Sequence, residues 1–302
     1  MIGWAVLVAL ASAACYALGS AVQQIEAART GDGVAGAGLL WHLTRRPGWI
    51  VGMAAMVAGA GLHVLALSWG PLPLVQPLGV ASLLFALPMG AALNRRPIQA
   101  WHRLGAGMVA GGLVALLAIL RPGTGRPVLS TPGTAVLVGM TVAGLVCCVA
   151  VARRTVRYRP VALATGAGIC FGATSALVRV VGNQVLGSGV DALFNWPTIA
   201  MVVLAPAGFV VVQHAYRAGD LSVVLSTTSV VDPLVAVGFA VLLLGDTVHA
   251  GPIGTVVVVL AAFAIVVGVA VLTRPVRPRA VDRDRPPAST SVAAGATRRA
   301  AR

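Results

Sequence analysis

The stretch from Gly219 to Asp246, GDLSVVLSTTSVVDPLVAVGFAVLLLGD, decides the fold class. It is long enough to cross a bilayer as a helix, at roughly 20 residues per crossing. Near its midpoint stand Asp232 and Pro233. A carboxylate at bilayer depth costs at least about 2.5–3.5 kcal/mol, so such residues mark pathways more often than decoration. Pro233 removes a backbone donor and frees a carbonyl at the same depth. A second stretch reads as its partner: Gly70 to Pro97, GPLPLVQPLGVASLLFALPMGAALNRRP. It also begins with Gly-x-Leu, crosses once, and carries polar and proline punctuation at Gln76, Pro77, Ser82 and Pro88.

The whole chain shares this character. Of its 302 residues 58% are hydrophobic and only 10% are charged, against about 25% charged in a soluble domain. With a mean hydropathy of +0.91 and repeated apolar runs, the chain reads as an all-α, polytopic membrane protein. The net charge of +14 comes from arginine alone, since the chain has no lysine. These arginines sit in short loops between apolar runs and in the tail, the pattern of a positive-inside bias rather than of nucleic-acid binding. Cys15, Cys147, Cys148 and Cys170 all fall within apolar runs and show no metal or disulfide spacing, so they read as small packing residues. Ala11-Ser12-Ala13 resembles a cleavage site, but no basic residue precedes the first apolar run, which continues to about Gln23. That run reads as a retained first helix.

Nine crossings are expected, at about 3–25, 48–69, 72–93, 101–120, 132–152, 160–181, 196–215, 221–244 and 252–272. Gly70-Pro71 and Arg217 to Asp220 are very short links, so each must close a tight antiparallel hairpin. With the N-terminus outside, the inner loops hold Arg29, Arg45, Arg46, Arg95, Arg96, Arg103, Arg153, Arg154, Arg157, Arg159 and Arg217. The tail adds eight more inside, leaving Arg121, Arg126 and Arg179 outside, 19 against 3. This predicts a multi-pass plasma-membrane protein with N-terminus out and C-terminus in the cytoplasm. Residues 274–302 are rich in Arg and Pro, lack an apolar period, and are expected to be a disordered cytoplasmic tail.

An internal repeat divides the transporter-sized domain, residues 1–273. A shift of 149 places Gly70-Pro71-Leu72 on Gly219-Asp220-Leu221 and Gly105 on Gly254, and both units end in Arg-Pro, at Arg121-Pro122 and Arg274-Pro275. Repeat one spans about 1–122, a linker helix about 132–152, and repeat two about 160–273. Crossings 1–4 then match crossings 6–9, joined by crossing 5. Matching helices differ by an odd number of crossings, so the units run in opposite directions. Inverted repeats belong to transporters, whose sites lie at the repeat interface near the midplane.

Few residues can carry chemistry there. Asp232 is the lone acidic residue deep in a crossing, beside the hydroxyls of Ser226, Thr227, Thr228 and Ser229. It reads as a proton- or cation-responsive group facing a central cavity, near crossings 2 and 3 and within reach of Gln76 or His63. His63 lies inside crossing 2 and can bind solute or relay protons, or be a satisfied core histidine. Gln76 can meet a polar solute or tie two helices together. Gln213 and His214 end crossing 7 at the cytosolic side, as Gln23, Gln24 and Glu26 end crossing 1. An interfacial role is the plainer reading of all five. Gly107-x-x-x-Gly111 and Gly168-x-x-x-Gly172 suit close helix packing. With no phosphate-binding loop, paired carboxylates or His/Cys ligand cluster, neither an enzyme nor a cofactor is expected. Transport would then be driven by a gradient.

The run Trp69-Gly70-Pro71-Leu72-Pro73-Leu74-Val75-Gln76-Pro77-Leu78-Gly79 resembles the third helix of the drug/metabolite transporter superfamily, especially its NIPA-like magnesium-transporter branch. Tyr216 to Ser222, followed by Leu244-Gly245-Asp246, is similar to the second repeat of EamA-type exporters. Gln213 before Tyr216 resembles the NIPA-like Gln-x-x-Tyr. The resemblance covers about residues 3–272 and implies a secondary transporter of a small solute or ion. Asp232, His63, Gln76 and Gln213 would stand at its site, with Pro77, Gly79 and Pro233 shaping the helices there. The chain departs from the NIPA-like pattern at Ala60, where that branch has an acidic residue, and at His63, where it has Asn. A hard cation wants oxygen ligands and usually a carboxylate, which only Asp232 offers at depth, so an organic solute competes with magnesium. The expected partners are the lipid bilayer, the solute and a coupling proton or cation. A homodimer stays open, as does a non-transporting scaffold or lipid-binding role.

Overall fold

The computed structural model describes residues 2–30, 37–69, 81–93, 100–119, 129–189, 194–244 and 251–272. Its regular structure is helical: α1 (Ile2–Ala28), α2 (Ala37–Leu43), α3 (Pro47–Trp69), α4 (Ala81–Leu93), α5 (Ala100–Ile119), α6 (Thr131–Arg154), α7 (Arg159–Ser188), α8 (Trp196–Ala218), α9 (Leu221–Leu243) and α10 (Pro252–Leu272). Seven of these, α1, α3 and α6 to α10, are long and apolar enough to cross a membrane. The described part of the third expected crossing is the 13-residue α4, and the 20-residue α5 lies against α10. The short helix α2 was not expected from the sequence. The Gly70-Pro71 turn, Gln76, Pro77, Gly79, Arg121-Pro122 and the 274–302 tail lie outside the described residues.

Helix starts follow local chemistry. Ser130 Oγ accepts from the Gly133 amide at 3.2 Å, and Asn195 Oδ1 from the Thr198 amide at 3.2 Å. Each cap is followed by a proline within the first two helical positions, where a missing N–H costs nothing. Pro88, Pro206 and Pro233 sit inside α4, α8 and α9. At Pro233 the helix does not break, because α9 runs on from Leu221 to Leu243. What the proline changes is the backbone: with no N–H, it leaves the Ser229 carbonyl without its intrahelical donor.

Small residues carry much of the packing, beside buried Leu83, Leu113, Leu137, Leu177 and Ile265. Ala5, Ala9, Ala13, Ala17 and Ala21 recur every four residues on α1 and all are buried, while Phe263 and Val266 on α10 are 66% and 67% exposed. Outward apolar and inward small is what a lipid solvent favours. On the α1–α3 seam, a Cβ on Gly19 would come within 2.6 Å of the Gly52 carbonyl. On α5–α10, a Cβ on Gly268 would come within 2.7 Å of the Gly105 carbonyl. Here the glycines that pack are Gly105 and Gly112. At Gly107 and Gly111 an added Cβ meets nothing within 4 Å among the described residues.

The neighbours form a regular scheme. α1 packs on α3 and α4, α7 packs on α8 and α9, α4 meets α9, and α5 meets α10. α6 covers the outside of α7 through Thr134, Leu137 and Thr141, one stripe at helical spacing. The α8–α9 link is only Gly219 and Asp220. A Cβ on Gly219 would stand 2.5 Å from Pro160 Cβ, so this hairpin needs glycine for close approach to the start of α7.

Candidate functional site

Between α1, α3, α4, α7, α8 and α9 lies a cavity of about 210 Å³. Its polar lining is Tyr16, Ser20, Gln23, Ser82, Tyr216, Thr228 and Ser229, and its apolar lining includes Met56, Phe171 and Phe209. Ser229, whose carbonyl Pro233 frees, is one of these residues. No charged side chain is among the described lining residues.

A buried amide relay closes the end that carries Arg29, Arg45, Arg46 and Arg217. Trp49 Nε1 donates to Gln213 Oε1 at 3.3 Å, and Gln213 Nε2 donates to Gln23 Oε1 at 2.6 Å. Gln23 Nε2 then donates to Met56 Sδ at 3.0 Å. Both glutamines are 0% exposed. Indole is a donor only, so Trp49 fixes which way the Gln213 amide points, and Gln213 in turn fixes Gln23. The result is a buried Gln23 side chain beside the cavity, its N–H group resting on a thioether, a weak acceptor. Next to it, Tyr216 lies within hydrogen-bonding reach of Ser20. Gln24 Nε2 donates to the Gly219 carbonyl at 3.3 Å, pinning the α8–α9 turn to α1. Glu26 pairs with Arg29 at 3.1 Å and Arg46 at 3.2 Å, tying the end of α1 to the start of α3.

Asp232 is half-buried and accepts a hydrogen bond from Ser175 Oγ of α7 at 3.2 Å. Among the described residues its hydrogen-bond partner is Ser175 and not the expected His63; Gln76 lies outside the described residues. It stands one turn beyond Thr228 and Ser229 on α9, as Ser175 stands one turn beyond Phe171 on α7. Ser175 is exposed, and neither it nor Asp232 is among the residues that line the cavity. The α7–α9 contact is close enough that a Cβ on Gly172 would lie 2.5 Å from the Asp232 carbonyl.

The sequence-predicted residues thus separate. Gln213, expected at the cytosolic surface, is fully buried and brought together with Gln23 from α1. His63 is half-buried on α3, one turn past Gly59, whose surroundings are Ser12, Cys15 and Tyr16 of α1. It is not in the cavity lining. Gln76 lies outside the described residues. No group of three or more His, Cys, Asp or Glu that could hold a metal occurs among the described residues. Sequence reasoning missed Tyr16, Ser20, Trp49 and Phe209, which come from helix faces with no distinguishing motif.

The relay makes a stability prediction. Gln213→Leu strands the Trp49 N–H and the Gln23 carbonyl in the interior, where each unmade hydrogen bond costs about 1–3 kcal/mol. Gln23→Leu leaves the Gln213 amide N–H group without its partner. The double variant removes both partners of the 2.6 Å bond and should lose less than the sum of the singles. Thermal unfolding of the four purified proteins measures this, and strict additivity would refute the coupling.

Fold and site together define a multi-pass, helical membrane protein with an internal cavity of mixed polar and apolar lining. No family model matches the chain, and no solved structure matches it. It is 32% identical over 250 residues to the uncharacterized protein Cgl0250/cg0304 of Corynebacterium glutamicum, covering 80% of this chain and 85% of that relative. The chain belongs to the family of that corynebacterial protein.

Proposed function

We propose that the protein is a gradient-driven transporter of the drug/metabolite type, moving a small solute by alternating access between two inverted four-helix repeats. The observation that carries this reading is the packing scheme. Under the 149-residue offset, α1, α3, α4 and α5 correspond to α7, α8, α9 and α10, with α6 left over. The contacts of α1 with α3 and α4 then map onto those of α7 with α8 and α9, and α4–α9 and α5–α10 each map onto themselves. A two-fold relation between repeats requires those pairs; the α1–α8 contact has no α3–α7 counterpart of similar extent among the described residues, so the two halves differ there. A polar cavity at their interface, closed by a relay at one end, suits a site that opens to one side at a time. Asp232, one turn from the lining residues Thr228 and Ser229 on α9, is the coupling group in this reading, and Gln23 and Gln213 form the floor.

The decisive experiment is transport. Purified protein in proteoliposomes should exchange a labelled solute from a small panel and accumulate it only when a pH or cation gradient is imposed. Absence of both exchange and accumulation across the panel would favour a scaffold role.

Nine crossings with the N-terminus outside are part of the same proposal. A reporter fused after Thr273 should be active in the cytoplasm only. Activity on the outer side would mean that the crossing count is wrong by one.

A further inference from the structure

We propose that the cavity takes a small, uncharged solute with an apolar or aromatic body and a hydrogen-bond acceptor, which Gln23 Nε2 engages. This deepens the transport reading and rests on it.

Three observations meet here. The first is size: about 210 Å³ is room for roughly seven waters at about 30 Å³ each, and it lies below the 300–1,000 Å³ or so of drug-sized sites. The second is charge. The described lining residues carry hydroxyls, an amide and the rings of Tyr16, Phe171, Phe209 and Tyr216. An ion would leave water for a wall with no opposite charge among its described residues, at a cost of several kcal/mol or more, and a hard divalent cation usually takes at least one carboxylate. Asp232, the nearest carboxylate on α9, is outside the lining and already accepts from Ser175.

The third observation is polarity. The relay from Trp49 through Gln213 leaves Gln23 with its carbonyl used at 2.6 Å and its N–H group on Met56 sulfur at 3.0 Å. A carbonyl oxygen on the solute is a far better acceptor than a thioether, so exchanging one for the other favours binding. Glutamate at position 23 would still accept from Gln213; ionised it cannot donate, but it is then a buried charge with no opposite charge among the described lining residues. Gln23→Glu therefore removes the donor at a cost in stability, and uncharged changes in the same wall accompany it.

The test uses full-length protein and size-matched probes: benzamide and 2-piperidone as neutral acceptors, benzoate, benzylammonium, and Mg²⁺. Thermal midpoints in detergent read binding, and counterflow in proteoliposomes reads exchange. The expected result is a saturable rise in midpoint with a neutral probe, an apparent Kd at least tenfold weaker in Gln23→Glu, and counterflow of that probe. Gln23→Glu should unfold below the wild-type midpoint without ligand, so Ser20→Ala and Met56→Leu, which alter the same wall without charge, serve as the comparison, and a neutral-probe Kd unchanged in both would overturn the proposal. Stabilisation by benzoate, benzylammonium or Mg²⁺ below the neutral probes' concentrations, with exchange intact, overturns the solute class but not transport. Neutral binding without exchange overturns transport but not the site. No saturable shift with either neutral probe overturns the inference.

Discussion

Asp232→Asn should abolish gradient-driven accumulation while leaving expression, folding and passive exchange close to wild type. The side chain is held by one described hydrogen bond, from Ser175 Oγ to Asp232 Oδ1 at 3.2 Å. Asparagine keeps an oxygen at that position, so α7 and α9 stay joined by the same contact. What is lost is the proton or cation exchange that only a carboxylate supports. A carboxylate placed at this depth carries a cost of about 2.5–3.5 kcal/mol, so its removal is not expected to destabilise the protein. Accumulation by the variant at the wild-type rate in proteoliposomes would remove Asp232 from the mechanism. Loss of exchange along with accumulation would recast it as a structural or solute-binding residue.

The second large effect is on folding. Gly172→Ile should leave almost no folded protein in the membrane. Even a methyl group at Gly172 would lie 2.5 Å from the Asp232 carbonyl and 2.7 Å from Val235 Cβ. Neither neighbour can yield without moving the α9 backbone, and overpacking of this kind costs about 1–3 kcal/mol or more. A branched side chain adds further clashes along the seam. Gly107→Ala on α5 is the control. Its Cβ meets nothing within 4 Å among the described residues, and alanine favours a helix over glycine by roughly 0.5–1 kcal/mol. Detergent-extracted yield and the monodisperse fraction on size exclusion read both. Equal yields for the two would mean that α7 and α9 do not approach as closely as the structure has them.

Much of this molecule is written in one dimension. Membrane residence follows from apolar run length alone, because a bilayer asks each crossing for the same thing independently of its neighbours. The helix ranges agree with the sequence reading to within a few residues over most of the described chain, the ends of α7 and α8 running further. For the same reason Asp232 stands out by composition, since a carboxylate in hydrocarbon is conspicuous wherever it points. Tertiary structure decided everything that depends on facing. Gly107-x-x-x-Gly111 and Gly168-x-x-x-Gly172 are the same motif, yet only the second packs against a helix among the described residues. Gln213 and His214 are adjacent in sequence, yet Gln213 is sealed against Gln23 of α1, 190 residues away. Periodicity cannot signal such a face in a helix that is apolar all round, because lipid and protein interior present equally apolar surroundings. The polar partners that meet inside are set by which helices cross, and that is a property of the assembled bundle.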